Sequence, residues 1–388
     1  MQAIDLFVNQ VPILEKQQVK HSNSKLNGTK DRISRYVGLK EKFDNDKIFN
    51  GNWFEVDTLQ VDTAEREFNF FDLFSGAGGM SVGFREAGLN KLASVEIDKD
   101  ASNTIRNNFP TSYHFEKPIE ELSFAEIDNV LQGRKIHIIC GGPPCQGFSV
   151  AGLRNPDDPR NQLFKEYIRI VAYLQPDFIV MENVPGILTM QNGDVYREIL
   201  KQLAEIGYPN ASVRILEAAA YGVPQLRTRT VIVANKLNLK NPYPKTILEK
   251  ENYKTTYESI DDLKNTPFDA SINHNGTTHS KEMEQRLAQI PPGGSLYDNF
   301  RDAWKRQYKD APSMTVKENH GGVHVHYELN RVLTAREMAR LQTFPDSYIF
   351  SGTFKRAYWQ IGNAVPCLLA KHLALAIKAE LLTLYQNI

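Results

Sequence analysis

From Glu67 onward, short β-rich apolar runs alternate with stretches of helical spacing. The runs 68–74, 93–97, 136–140, 178–181 and 230–234 read as strands. Residues 80–87, 101–109, 162–174 and 195–206 read as helices, and Asp98 stands where a cap for the second would be. Strands alternating with helices predict a parallel, doubly wound α/β sheet. After Ala234 the pattern dissolves into Asn-, Pro-, Lys- and Tyr-rich sequence. Helical spacing returns at 333–341, and Pro366 opens a last amphipathic helix that runs to Leu384. The expected organisation is a core domain over 67–236, a smaller inserted domain over 237–355, and a return to the core over 356–388. Residues 1–66 are polar and irregular and are expected to be a packing arm. The apolar spacing around 24–43 is too poor for a helix-turn-helix.

Composition narrows the picture. The chain has 388 residues, and 46 Lys plus Arg balance 46 Asp plus Glu, so any basic face must be local. Cys140, Cys145 and Cys367 show no paired spacing, which argues against a disulfide framework or a zinc cluster. The N-terminus lacks a basic stretch followed by an apolar core, and no run is apolar enough for a membrane span, so a cytosolic protein is expected.

Candidate chemistry sits at the strand ends. Gly141-Gly142-Pro143-Pro144-Cys145-Gln146-Gly147-Phe148-Ser149 places a thiol on a stiff Pro-Pro turn after an apolar run, with glycine freeing the chain behind it. Asp72-Leu73-Phe74-Ser75-Gly76-Ala77-Gly78-Gly79 runs from the first strand into a helix. About 20 residues on, Glu96 ends the second strand, where a carboxylate can accept both ribose hydroxyls. That pair fits an adenosine cofactor. The adjacent glycines do not match a GxGxxG phosphate loop, and no GKS or GKT follows, which excludes a nucleotide triphosphate site of that kind. Glu182-Asn183-Val184 and Gln225-x-Arg227-x-Arg229 follow in order. Alternation puts the two arginines on one face of an extended run. His320, His324 and His326 lack a cysteine or carboxylate to complete a metal site, and no metal is expected.

In that order these motifs resemble the DNA (cytosine-5)-methyltransferases of bacterial restriction-modification systems, over roughly residues 67–384. Phe71–Gly79 is similar to the family's S-adenosylmethionine loop and Gly141–Ser149 to its Pro-Cys loop. Arg331–Pro345 and Gln360-Ile361-Gly362-Asn363-Ala364-Val365-Pro366 are similar to its last two blocks. The resemblance implies an S-adenosylmethionine-dependent Rossmann-like domain with an inserted target-recognition domain, acting on a cytosine flipped out of double-stranded DNA. It implies Cys145 as nucleophile, Glu182 as the acid at ring nitrogen 3, its pKa raised by desolvation as the site closes, and Arg229 on the cytosine carbonyl. Arg227 would support the loop by pairing with carboxylate or phosphate. Phe74, Gly76, Gly78, Gly79, Glu96, Pro143 and Asn363 would line the cofactor site, Gln146 and Ser149 would touch DNA, and residues 237–330 would read the flanking bases.

One departure is Lys117-Pro118-Ile119, where the family has an Asp-Ile pair on the adenine amino group, so Glu116, Glu120 or backbone must serve. The resemblance also implies a monomer in the cytoplasm, associated with the nucleoid and functionally paired with a restriction endonuclease. A tRNA methyltransferase of the same family is the alternative, disfavoured because no cysteine lies in the recognition region. A catalytically idle DNA-binding regulator is disfavoured because Cys145, Glu182 and Arg229 are all present.

Overall fold

The computed structural model describes residues 52–62, 67–144, 159–297, 303–318 and 324–386. Cys145, Gln146, Ser149, His320 and the 24–43 segment lie outside them. In chain order the elements are β1 (Trp53–Val56), β2 (Asn69–Leu73), α1 (Gly79–Glu86), β3 (Asn90–Glu96), α2 (Lys99–Asn108), β4 (Tyr113–Glu116), α3 (Phe124–Leu131), β5 (Ile138–Gly141), α4 (Pro159–Leu174), β6 (Phe178–Asn183) and α5 (Asp194–Glu205). Then come β7 (Ser212–Glu217), β8 (Thr228–Asn235), β9 (Asn241–Pro244), α6 (Thr256–Ile260), α7 (Lys281–Ala288), β10 (Lys305–Arg306), β11 (His324–Val325), α8 (Ala335–Leu341), α9 (Phe354–Asn363) and α10 (Cys367–Gln386). The main sheet has seven strands in the order β4-β3-β2-β5-β6-β8-β7, and β1-β9 and β10-β11 form two further pairs.

The chain divides into two compact units. One comprises 55–141, 217–227 and 243–388. In it β2 pairs in parallel with β3 and β5, and β3 with β4. Strands of a parallel sheet are covered on both faces, which is why β5 reads as an unbroken apolar run and β2 as one interrupted, after Asn69, only by the buried Asp72. Asp98 caps α2 as expected, accepting from the Ala101 amide at 3.0 Å. A capping box of Ser123 and Glu126 starts α3, and another of Thr334 and Glu337 starts α8. Ala77, Val82, Ile105 and Phe109 share one core with Val316, Leu333, Met338, Phe344, Tyr348 and Ile361. The packing therefore does not break where the inserted domain was expected to end, and residues 243–388 belong with the cofactor-loop strands. The arm is partly accounted for: Thr58 is buried with its hydroxyl 2.7 Å from Nδ1 of His372 on α10.

The other unit comprises 1–54, 142–216 and 228–242. Here the sheet departs from the all-parallel expectation, because β6 pairs antiparallel with β8. The chain reaches β8 from β7 through residues 218–227 with no α-helix between them. That is too short for the crossover a parallel return requires, so the chain turns back on itself.

Candidate active site

The register of β6 against β8 builds the centre of the site. Glu182 lies opposite Val231 and Asn183 opposite Thr230. Arg229, two residues before Val231, is therefore a diagonal neighbour of Glu182 on the same face, within reach of a long side chain. The two meet: Arg229 Nε lies 2.6 Å from Glu182 Oε1, and both side chains are nearly buried, at 12% and 11% exposed. Arg229 Nη1 donates to the Thr228 carbonyl at 2.8 Å. Arg229 Nη2 and Glu182 Oε2 make no hydrogen bond with the described residues. Among the described residues, the Nη2 donors and the Oε2 acceptor are thus uncommitted, a match for a planar ring carrying an amide-like edge.

The approach to Cys145 is fixed against this pair. Asn183 Nδ2 donates to the carbonyl of buried Pro143 at 2.9 Å, and its Oδ1 accepts from the Val184 amide. A Cβ on Gly142 would stand 3.1 Å from Glu182 Oε2. Asn183 was not singled out in the sequence, although it is the middle residue of the Glu-Asn-Val motif.

In the other unit, the glycine-rich loop leaves β2 through strained backbone. Phe74 has φ of 56° and Gly76 of 51°, and Gly78, at φ 79°, is the N-cap of α1. A side chain at Phe74 in that region costs about 1–3 kcal/mol, of the kind that accumulates at ligand sites. Gly79 has no room for a Cβ, which would lie 2.2 Å from the Val365 carbonyl oxygen. Glu96 closes the loop: its Oε2 accepts from the Gly76 amide at 2.8 Å, and its Oε1 accepts from Ile97 at 3.0 Å and Asp98 at 2.9 Å. Burial pushes Glu96 above the ordinary carboxylate value, and these amides pull against that. A carboxylate has about four lone-pair sites. With three amides in place, Oε2 keeps room for one further donor, where the sequence reading needed room for two ribose hydroxyls.

Beneath the loop, Asp72 accepts from the Ser81 hydroxyl at 2.5 Å and also bonds to Cys140. Burial raises Asp72 to about 6 and lowers Lys91 to about 7. Cys140 is fully buried, and desolvation pushes its thiol well up. At the departure from the family pattern, Glu116 is paired with Arg106 at 2.6 Å and Glu120 is exposed.

Two placements correct the sequence reading. Arg227 is buried at 2% exposure and donates to the backbone carbonyls of Val316, Gly362 and Ala364 at 2.7–3.0 Å, partners the sequence reading did not foresee. It precedes β8, which starts at Thr228, so it does not share a strand face with Arg229. His324 and His326 are buried and accept from backbone amides. The Lys317 amide donates to His324 Nε2, and those of Glu328 and Leu329 donate to His326 Nδ1. Asn363 is exposed as the last residue of α9, and its side chain makes no hydrogen bond with the described residues.

The family model for C-5 cytosine-specific DNA methylases matches residues 68–379. The chain belongs to this family. It is a DNA (cytosine-5-)-methyltransferase, EC 2.1.1.37. Among relatives, it is 39% identical over 327 residues to the type II methyltransferase M1.HphI of Haemophilus parahaemolyticus, covering 79% of this chain and 86% of that one. It is 33% identical over 365 residues to M.DdeI of Desulfomicrobium norvegicum, covering 79% and 87%. Among solved structures, a prophage-encoded Escherichia coli protein described as a DNA modification methyltransferase matches with a TM-score of 0.66 at 30% identity, over 81% of this chain and 99% of that one. The S. pombe Dnmt2 methyltransferase shares the fold, with a TM-score of 0.59 at 20% identity over 82% and 99%.

Proposed function

We propose that this methyltransferase acts on a cytosine flipped out of a specific sequence in double-stranded DNA, through a covalent bond between Cys145 and carbon 6 of the ring. The observation that carries the reading is the Glu182–Arg229 pair, with Gly142 against the carboxylate and Pro143 tied to Asn183. Carbon 5 of cytosine is a poor nucleophile. Addition of the Cys145 thiolate at carbon 6 pushes the ring electrons onto carbon 5, provided nitrogen 3 is supported by a proton from Glu182. Arg229 Nη2 donates to the ring carbonyl and steadies the same charge. Methyl transfer to carbon 5 would leave the S–CH3 bonding pair on sulfur as a neutral thioether; carbon 5 then loses its proton to a base or water, nitrogen 3 returns its proton to Glu182, and the thiolate leaves as the double bond re-forms.

S-Adenosylmethionine supplies an electrophilic methyl on a cationic sulfur. Glu96 would hold its ribose, and Phe74, Gly76, Gly78 and Gly79 its approach to the backbone, with Pro143 and Asn363 at the edges. The remaining acceptor site on Glu96 and the open space beside Gly76, where a Cβ would meet nothing within 4 Å, suit such a ligand. Gln146, Ser149 and residues 237–330 would touch DNA. The type II relatives favour a role in protecting host DNA from a partner endonuclease, in the cytoplasm. No helix among the described residues is long and apolar enough to cross a membrane.

The test is transfer of labelled methyl from S-adenosylmethionine to duplex DNA, with covalent trapping on 5-fluorocytosine DNA. Cys145→Ala should abolish both while Cys140→Ala keeps them. Full activity without Cys145 would sink the mechanism.

A further inference from the structure

The turn between α9 and α10 is held by side chains from elsewhere in the chain. Gln342, fully buried just after α8, donates Nε2 to the carbonyls of Ile361 at 2.7 Å and Ala364 at 3.2 Å. Arg227 donates Nη2 to those of Gly362 at 3.0 Å and Ala364 at 2.9 Å. Gln342 is set in turn by Gln225, whose Nε2 donates to Gln342 Oε1 at 3.0 Å and to the Leu341 carbonyl at 3.1 Å. Gln225 Oε1 accepts from the Val316 amide at 2.7 Å, and Arg227 Nη1 donates to the carbonyl of the same residue. Part of this is obligatory, because the last carbonyls of a buried helix need donors.

The turn also presses on the cofactor loop. A Cβ on Gly79 would be 2.2 Å from the Val365 carbonyl oxygen and 3.1 Å from Ala364 Cβ. The contact is backbone against backbone, so no flexible side chain absorbs a shift, and a close-packed interior passes it on. Gly78, the N-cap beside it, is already in the left-handed region.

We infer that Gln225, Arg227 and Gln342 form a buried clamp that sets the 361–365 turn against Gly79 and thereby sets the affinity for S-adenosylmethionine. They are positioning residues for the cofactor and take no part in the chemistry on cytosine. The inference rests on the cofactor reading above. Arg227 and Arg229, two residues apart, then have separate duties, one to the cofactor loop and one to the Glu182 pair.

The test is calorimetric titration of the full chain with S-adenosylhomocysteine, beside rates at saturating cofactor. Arg227→Lys and Gln342→Met should each raise Kd about tenfold or more, the loss expected for about one buried hydrogen bond. Their rates at saturating cofactor should stay within about threefold of the parent, about half of that energy at most. Arg229→Lys should do the reverse, keeping Kd and losing rate. Folded Arg227→Lys and Gln342→Met variants with the parent's Kd would overturn the clamp, as would a loss confined to the rate. Should neither variant fold, hydrogen exchange on the parent decides. Bound S-adenosylhomocysteine should slow exchange at 361–365 as well as at 76–79, and unchanged exchange at 361–365 rejects the inference. A parent that binds no S-adenosylhomocysteine fails the cofactor reading itself, a separate and recognisable result.

Discussion

Glu182→Gln is the sharpest test of the catalytic pair, because it keeps the size and one acceptor oxygen while removing the charge and the transferable proton. The pair is short, at 2.6 Å, and nearly buried. Replacing a charged acceptor by a neutral one there costs about 1–3 kcal/mol of stability, the upper end applying because Arg229 loses its counter-charge. In a chain of this size that lowers the melting temperature by a few degrees, about 2–4 °C per kcal/mol at most. The effect on the reaction should be much larger. A positioned acid contributes about 10²–10⁴ in rate, or about 3–5.5 kcal/mol of barrier. Methyl transfer to duplex DNA should therefore fall by that factor at temperatures where the variant is fully folded. Titration with S-adenosylhomocysteine should give the parent's Kd, because Glu182 makes none of the contacts of the Gly76–Glu96 loop. A folded variant that retains the rate within about tenfold of the parent would refute the assignment of Glu182 as the acid.

Glu96→Ala should weaken cofactor binding by about 1.5–3 kcal/mol, seen by calorimetry, and slow heating should also show a modest loss of stability because the Gly76, Ile97 and Asp98 amides lose their acceptor. Unchanged affinity in a folded protein would mean the ribose is held elsewhere. Burial holds His324 at about 3, against 6.5 for the exposed group, so the unfolded chain takes up a proton first as the pH falls. Stability is therefore lost between pH 6.5 and about 3, by about 1.4 kcal/mol per pH unit from this group. Urea melts from pH 7.5 to 5 should show a shallower decline in His324→Gln, and parallel curves would count against it. Exchanging 237–330 for the matching region of a relative with a different target should move methylation to that target. An active chimera with the old target would place specificity elsewhere.

Most of the sheet was legible because strands covered on both faces carry continuous apolar runs. The edge strands were not. β4 has one buried residue among four, and β7 follows no run distinct from its surroundings. Helix α3 announces itself by Ser123-x-x-Glu126 and could have been found; polar α7 buries only Leu287 and could not. In the site, motif order located Glu182 and Arg229, but their contact depends on antiparallel register, which no local pattern carries. Arg227 was misread for a related reason. A guanidinium in an extended run looks alike whether it faces phosphate or caps buried carbonyls, and only tertiary packing decides. The turn from β2 into α1 was legible in the glycines, yet the amides already occupying Glu96 depend on how Gly76 folds back.

The same use of arginine explains how a chain with no net charge holds a loop-rich insertion together, and it leads to the last prediction. Arg306, 5% exposed, donates Nε to the Ile290 carbonyl, Nη1 to those of His326 and Leu329, and Nη2 to the Leu287 carbonyl and Asn330 Oδ1, all at 2.7–3.1 Å. It caps the end of α7 and ties it to the turn after β11, around a small core of Leu287, Ile290 and Val325. A lysine has three donors at one point and cannot reproduce that fork. Arg306→Lys should leave buried carbonyls unpaired, at about 1–3 kcal/mol each before relaxation, more than a core of this size can absorb. The loss should be local, because the cofactor loop packs in a different core. Calorimetry should return the parent's affinity for S-adenosylhomocysteine, while binding to target duplex falls toward the non-specific level and proteolysis near 285–297 accelerates. If the variant keeps both specific DNA binding and protease resistance, Arg306 does not organise the surface that reads DNA, and the search would turn to residues 1–66.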